Sequence, residues 1–211
     1  MYFEDVRMKF DNAVQKLEPS TQATLNEASK LAEKEHQGQT RKQHAARPNE
    51  VDPYLIHPLR VSLILMEELG LCDKTSLASA ILHDVVEDGV SRPTVNDIAS
   101  QFGEEIATTV RYLTKPEGEN GPLSAEELHP YHESFFSAPL HVRLVKLADR
   151  LDNIRETLLV DRPKFQHRYL RETREIYMPL ARHTSAYYTA QLESTCNKLE
   201  ALLNNATSKQ S

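Results

Sequence analysis

Residues 73–89 read DKTSLASAILHDVVEDG, and their reading decides the fold. Asp73 suits a helix N-cap and Gly89 a helix end, so the run between them is expected to form one helix. Its second half sets a puzzle. His83, Asp84, Glu87 and Asp88 interrupt an apolar run of Ile81, Leu82, Val85 and Val86, and each would cost several kcal/mol if buried without a partner. Residues four apart share a helix face, which sets His83 under Glu87 and Asp84 under Asp88. Two explanations fit: a solvated acidic helix face, or a cation that gathers the four groups. On the second, an imidazole beside a carboxylate begins the ligand set of a divalent metal, and the next turn brings two carboxylates towards its water.

The flanking sequence is helical nearly throughout. Phe3, Val6, Phe10, Ala13, Val14 and Leu17 recur at helical spacing, and Pro19 stops that helix. Ser20 or Thr21 caps a second, which runs through Leu25, Ala28, Leu31 and Ala32 and ends near Gly38. Residues 39–53, QTRKQHAARPNEVDP, are polar, basic and Pro-punctuated, and read as a loop. HPLRVSLILMEELG (57–70) is a third helix closed by Gly70. Beyond Gly89, Thr94 caps VNDIASQF (95–102), and EEIATTVRYL (104–113) follows Gly103. The turn-rich KPEGENGPLS (115–124) precedes a weak or broken helix over 125–136. LHVRLVKLADRLDNIRETL (140–158) is strongly patterned and is expected at the centre of the bundle. Two more helices, 164–182 and 185–204, follow Pro163, with Pro179 kinking or ending the first and the tail NNATSKQS frayed. No internal repeat appears, and no linker divides the chain. The expectation is an all-α, single-domain helical bundle over residues 1–211.

Composition agrees and narrows the functions. Six glycines and no tryptophan, with many Leu, Ala, Glu and Lys, favour helix over sheet. The net charge of −6 argues against nucleic acid as a partner, since broad phosphate binding needs a strongly basic face. An anionic substrate must then be met by a local cationic patch or a metal. Cys72 and Cys196 lie far apart with no CxxC partner, which suggests a reducing compartment. The N-terminal MYFEDVRMKF has no apolar core of a signal peptide, and no apolar run approaches a membrane span. A soluble, cytoplasmic protein without a membrane partner is expected.

Two further islands offer the missing ligands. His57 opens a helix in YLIHP (54–58), and Asp149 interrupts an apolar stripe in KLADR (146–150). His57, the His83-Asp84 pair and Asp149, from three helices, make a mixed nitrogen and oxygen set. Such a set suits Mn²⁺, Fe²⁺, Mg²⁺ or Co²⁺ better than a thiophilic metal, and a bundle core is a common place to assemble it.

These motifs, in this order, resemble the HD superfamily of metal-dependent phosphohydrolases, and more closely the hydrolase domain of the RelA/SpoT alarmone enzymes. The similarity covers residues 25–195 and runs through HQGQTRK (36–42), YLIHP (54–58), AILHDVVED (80–88), the FG at 102–103, the LTK at 113–115, VKLADRLDNIR (145–155) and ETREIYMPLA (172–181). The resemblance implies a helical domain holding one Mn²⁺ that removes the 3′-pyrophosphate of (p)ppGpp. On it, the metal ligands match His57, His83, Asp84 and Asp149. Glu87 and Asp88 match an acidic pair that orients and deprotonates the attacking water. Arg41 matches an arginine that packs on the purine face, Lys42 its neighbour near the base and phosphates, and Asn153 a nucleoside contact. The remaining histidines, His36 and His44 among them, match no ligand position.

The departures bear on the base. QHAARPNEVD (43–52) lengthens the step from the RK pair to the HP motif and adds His44 and Arg47. Gly89 stands where a threonine is common, a mild change. Glu156 stands where many bacterial relatives carry a threonine near the base. A carboxylate only accepts hydrogen bonds and so suits the adenine amino group, although guanine N1–H and N2 suit it as well. Either (p)ppGpp or (p)ppApp is therefore an expected substrate. A small, stand-alone alarmone hydrolase without synthesis is the expectation, with neutralisation of an alarmone synthetase toxin as one role and the oligomeric state open. The alternatives are an HD-type phosphatase of another nucleotide that releases orthophosphate, and a non-catalytic module that binds alarmones.

Overall fold

The computed structural model describes residues 2–47, 49–118 and 123–208. Among them there is no strand, only an isolated bridge between Thr40 and Pro53 that ties the two ends of the long loop. The chain is all-α. Helix α1 (Phe3–Val14) packs Val6, Phe10, Ala13 and Val14 into the core and stops short of Leu17, which lies against the core from outside the helix. Pro19 does more than end it. It opens α2 (Pro19–Glu35) at the first position, where its missing N–H goes unused, and Glu18 rather than Ser20 or Thr21 stands at the cap.

Helix α3 (Ile56–Leu63) continues through a π-helical turn, Ile64–Glu68, to Gly70, whose φ of +69° favours glycine. Asp73 caps α4 (Lys74–Leu82) by accepting a hydrogen bond from the Ser76 amide at 2.8 Å. Here the expectation of one unbroken helix to Asp88 fails. The chain turns at His83-Asp84 and resumes as the short α5 (Val85–Asp88). The cause is local: His83 Nδ1 lies 2.8 Å from the Ala80 carbonyl, the acceptor that the Asp84 amide would use in a continued helix.

Helices α6 (Val95–Phe102) and α7 (Glu104–Leu113) follow, the first opened by a capping box between Thr94 and Asp97. Helix α8 (Ala125–Ser137) is continuous, against the weak or broken helix expected there. A Ser124–Glu127 capping box starts it, exposed Pro130 sits on its outer side, and buried Tyr131 and Phe135 anchor it, with the Tyr131 hydroxyl donating to the Leu113 carbonyl at 2.6 Å. Residues 119–122 of the preceding loop lie outside the described residues.

Helix α9 (Leu140–Thr157) packs against α3, α4, α10 (Pro163–Glu172) and α12 (Ala186–Ser208). A π-helical turn, Thr173–Tyr177, joins α10 to α11 (Met178–Thr184), and Pro179 enters at the start of α11. Backbone helix persists to Ser208, into the tail expected to fray, and residues 209–211 lie outside the described residues. On α9, Val142, Val145, Ala148, Leu151 and Ile154 are buried, as the pattern requires, and each large one contributes about 1.5–3 kcal/mol. The same helix buries Lys146, Asp149, Arg150, Asp152 and Glu156. Their combined desolvation would cancel the apolar gain unless each had a partner. No helix of the described residues is long and apolar enough to cross a membrane.

Candidate active site

The three islands meet where α3, the α4–α5 turn and α9 converge. One ligand atom each from His57, His83 and Asp149 lies within 4.8 Å of the others. Asp84 completes the group, its Oδ2 standing 3.2 Å from His83 Nε2 and 3.7 Å from His57 Nε2. Asp149 Oδ1 is 3.3 Å from His57 Nε2 and 3.8 Å from His83 Nε2.

The surroundings fix how each ring presents itself. His57 Nδ1 lies 2.7 Å from an oxygen of Asp152, and His83 Nδ1 faces the Ala80 carbonyl. Both partners only accept, so each Nδ1 carries a proton and each Nε2 is the atom turned into the site, where a cation in place of its proton would meet a lone pair. His83 Nε2 is buried and has no hydrogen-bond partner among the described residues. Burial opposes charge on His83, but Asp84 and Asp149 outweigh it and raise its pKa to about 9. The two carboxylates thus create a place where a positive charge is stabilised. Two nitrogen lone pairs and two carboxylates, with no thiolate, fit a divalent cation of the hard to borderline kind.

The carboxylates are also held. The Tyr54 hydroxyl donates to Asp84 at 2.7 Å. Lys146 Nζ donates to Asp149 Oδ2 at 3.1 Å, and the Asn153 amide donates to its other oxygen. Arg150 works elsewhere: it donates to the Thr173 hydroxyl and the Tyr169 carbonyl and ties α9 to α10.

An open cleft of about 680 Å³ adjoins this group, and Glu87, Asp88, Asp149 and Asn153 all line it, with Lys115 and Arg168 among the cations. The acidic pair is not symmetrical. Glu87 accepts from the Lys115 amide at 3.1 Å and from its ammonium at 3.4 Å. The Asp88 carboxylate has no such partner among the described residues, and burial together with Asp84 and Glu87 raises its pKa above the usual 3.8. Asp88 therefore presents to the cleft a free carboxylate more basic than an ordinary aspartate.

The expected base contacts sit differently from one another. Arg41 is buried and donates to Glu156 through Nε at 2.8 Å and again through Nη2, and to Asn153 at 2.8 Å. Glu156 also accepts from Arg60 at 3.1 Å, so its carboxylate is engaged by two guanidinium groups. Lys42 lies apart from that cluster, its ammonium 4.4 Å over the Phe165 ring. In the lengthened loop, Arg47 holds Asp52 at 2.6 Å and His44 at 2.7 Å, which pins the added residues down.

Sequence reasoning passed over Asp152, Arg60 and Tyr54. Asp152 had a signal: a carboxylate three residues after a ligand and one helical turn before Glu156. His36 stacks on Tyr54 with ring centroids 4.6 Å apart and bonds Gln39, whose amide donates to the Asp88 carbonyl at 2.6 Å.

Over 170 residues the chain is 38% identical to a GTP pyrophosphokinase of Streptomyces coelicolor, covering 79% of this chain and 18% of that protein. It is 34% identical over 192 residues to a guanosine-3′,5′-bis(diphosphate) 3′-pyrophosphohydrolase of Vibrio cholerae, covering 89% and 25%. The chain spans about a fifth to a quarter of the length of these curated relatives. A solved structure, of a metazoan ortholog of SpoT that hydrolyzes ppGpp and plays a role in starvation responses, superposes with a TM-score of 0.71 at 26% identity, covering 83% of this chain and 95% of that one. With His57, His83, Asp84 and Asp149 at one point and the HD domain family matching residues 28–185, the chain belongs to the HD domain family.

Proposed function

We propose that the protein is a Mn²⁺-dependent hydrolase that removes the 3′-pyrophosphate of purine alarmones, (p)ppGpp or (p)ppApp. The observation that carries this reading is the meeting of the His57 and His83 Nε2 atoms with Asp84 and Asp149 at the wall of a cleft lined by Glu87 and Asp88. His57, His83, Asp84 and Asp149 would hold the cation, which when bound polarises a phosphoryl oxygen and makes nearby water more acidic. The protein residues do the rest. Asp88, free and with a raised pKa, takes the proton of the attacking water, while Glu87, tethered by Lys115, orients it. Water adds to the phosphorus beside the ribose 3′-oxygen, that P–O bond breaks, pyrophosphate leaves, and the 3′-oxygen gains a proton. Lys115, Lys146 and Arg168 supply the positive charge for a polyphosphate that a net-acidic chain otherwise lacks. Arg41, Lys42 and Asn153 serve the nucleoside end, with Glu156 acting through its bond to Arg41.

The test offers ppGpp, pppGpp and ppApp to the purified, Mn²⁺-loaded protein and separates the products by anion exchange. Pyrophosphate release that disappears in Asp84→Ala is the expected result, and the relative rates assign the base. Orthophosphate release would point instead to an HD phosphatase of another nucleotide. Binding without turnover of any of the three would leave the non-catalytic module.

A further inference from the structure

The polar groups around α9 close into a circuit. His57 Nδ1 meets Asp152 at 2.7 Å, and Asp152 accepts the Arg60 fork at 2.7 and 2.9 Å. Arg60 reaches on to Glu156 at 3.1 Å, and Glu156 accepts from Arg41 at 2.8 Å. Arg41 donates to Asn153 at 2.8 Å, Asn153 donates to Asp149, and Asp149 Oδ1 returns to within 3.3 Å of His57 Nε2. Two members of this circuit belong to the cation-binding group and one is the loop arginine. Arg60 and Glu156 touch neither the two histidines nor Asp84 or Asp149.

The geometry makes the circuit more than a set of surface ion pairs. Arg41, His57, Asp149, Asp152 and Glu156 are all buried. In a medium of low polarity a carboxylate without its guanidinium is costly, so the partners are not free to exchange with water. Asp152 and Glu156 lie one turn apart on α9 and would repel; Arg60, reaching across from α3, donates to both. A shift of the His57 ring must move Asp152, then the fork, then Glu156 and the plane of Arg41.

We propose that Arg60 and Glu156 are positioning residues that link the cation site to Arg41, so that occupancy of one end sets the other. Linkage of this kind is reciprocal: whatever the cation does for Arg41, Arg41 does for the cation. The extension to a nucleotide base on Arg41 rests on the function proposed above. The link between Arg41 and the cation does not.

The experiment measures Mn²⁺ affinity from the electron paramagnetic resonance signal of the free ion, with no nucleotide present. Wild type is compared with Arg41→Gln, Glu156→Gln, Arg60→Lys and the double variant Arg41→Gln/Glu156→Gln, each checked for a cooperative thermal transition. The expected result is a loss of about tenfold or more in Mn²⁺ affinity for each single variant, although none of these side chains is in the ligand set. The double variant loses no more than the weaker-binding single, because both cuts open the same link. Arg60→Lys keeps the charge and loses the fork, so it remains informative if Glu156→Gln folds poorly. Affinities within twofold of wild type in Arg41→Gln and Arg60→Lys, or effects that multiply in the double variant, overturn the proposal. A second arm follows ppGpp hydrolysis at saturating Mn²⁺, where Arg60→Lys is expected to raise KM more than it lowers kcat. Absent hydrolysis with the Mn²⁺ pattern intact overturns the nucleotide reading alone; a flat Mn²⁺ pattern with hydrolysis intact overturns the circuit alone.

Discussion

Helix α9 and the junction between α4 and α5 both bring carboxylates to one site, and they do it by opposite means. Helix α9 stays regular from Leu140 to Thr157 and uses spacing: Asp149, Asp152, Asn153 and Glu156 fall on one strip. That strip reaches a ligand position, the group behind it and the loop arginine, with neighbours such as Asp152 and Asn153 turned to different partners. Successive residues on a helix diverge by about 100°. The junction abandons the helix so that two adjacent residues, His83 and Asp84, aim at one place, with His83 Nε2 and Asp84 Oδ2 3.2 Å apart. The regular helix provides reach, and the break provides convergence.

The most severe way to break this comparison is to remove the junction's own contribution. In wild type, Mn²⁺ at 100 times its Kd is expected to add about 2.7 kcal/mol of stability, read by thermal or urea unfolding. Asp84→Ala should lose nearly all of that gain and reduce the proposed alarmone hydrolysis by several orders of magnitude. A variant that still gains the full stabilisation would mean that convergence at the turn is not what holds the ion. On the α9 side the effect should be smaller, because Asp152 acts through His57. Asp152→Asn is expected to weaken Mn²⁺ binding by about 10–100-fold, measured by titration calorimetry. If the affinity does not move, the strip on α9 serves packing alone.

The same contrast explains what the sequence could tell. On α9 the helical period places every residue, so Asp149 and Asn153 could be assigned to one pocket before any coordinates existed. The strip hides its own logic, however. Asp152 and Glu156 sit in a run of charges, RLDNIRE (150–156), where a solvated salt bridge is the ordinary outcome. Only their burial and the approach of Arg60 from α3 reveal the circuit. At the junction the residue types were legible and the backbone was not. Helical period sets His83 under Glu87 on a continuous helix, whereas a side-chain bond from His83 to the Ala80 carbonyl ends that helix. Such a competition between side chain and backbone leaves no trace in hydrophobic spacing.

Gly89 shows the same limit, and it sharpens the comparison at the junction's exit. From sequence it looked like a mild replacement of a threonine. In the structure a Cβ at this position would lie 2.3 Å from the Val85 carbonyl oxygen and 3.1 Å from Pro93. Both neighbours are stiff, so α5 itself must shift. Gly89→Ala is expected to cost about 1–3 kcal/mol of stability in denaturant unfolding, and to lower kcat by displacing Glu87 and Asp88. Normal stability in this variant would show that the turn after α5 is free to rearrange.

The smallest effect is expected at the other end of α4, which is regular and remote from the chemistry. Asp73 satisfies the Ser76 amide with its side chain, a bond that begins the helix and touches no ligand. Asp73→Ala should cost about 1 kcal/mol, which for a chain of this size lowers Tm by about 2–4 °C. Mn²⁺ affinity should stay within twofold of wild type. The two ends of α4 then separate cleanly: the cap changes how firmly the helix stands, and the break decides what it can bind. A large loss of Mn²⁺ affinity in Asp73→Ala would contradict that separation, because a frayed first turn would be reaching the site through the length of the helix.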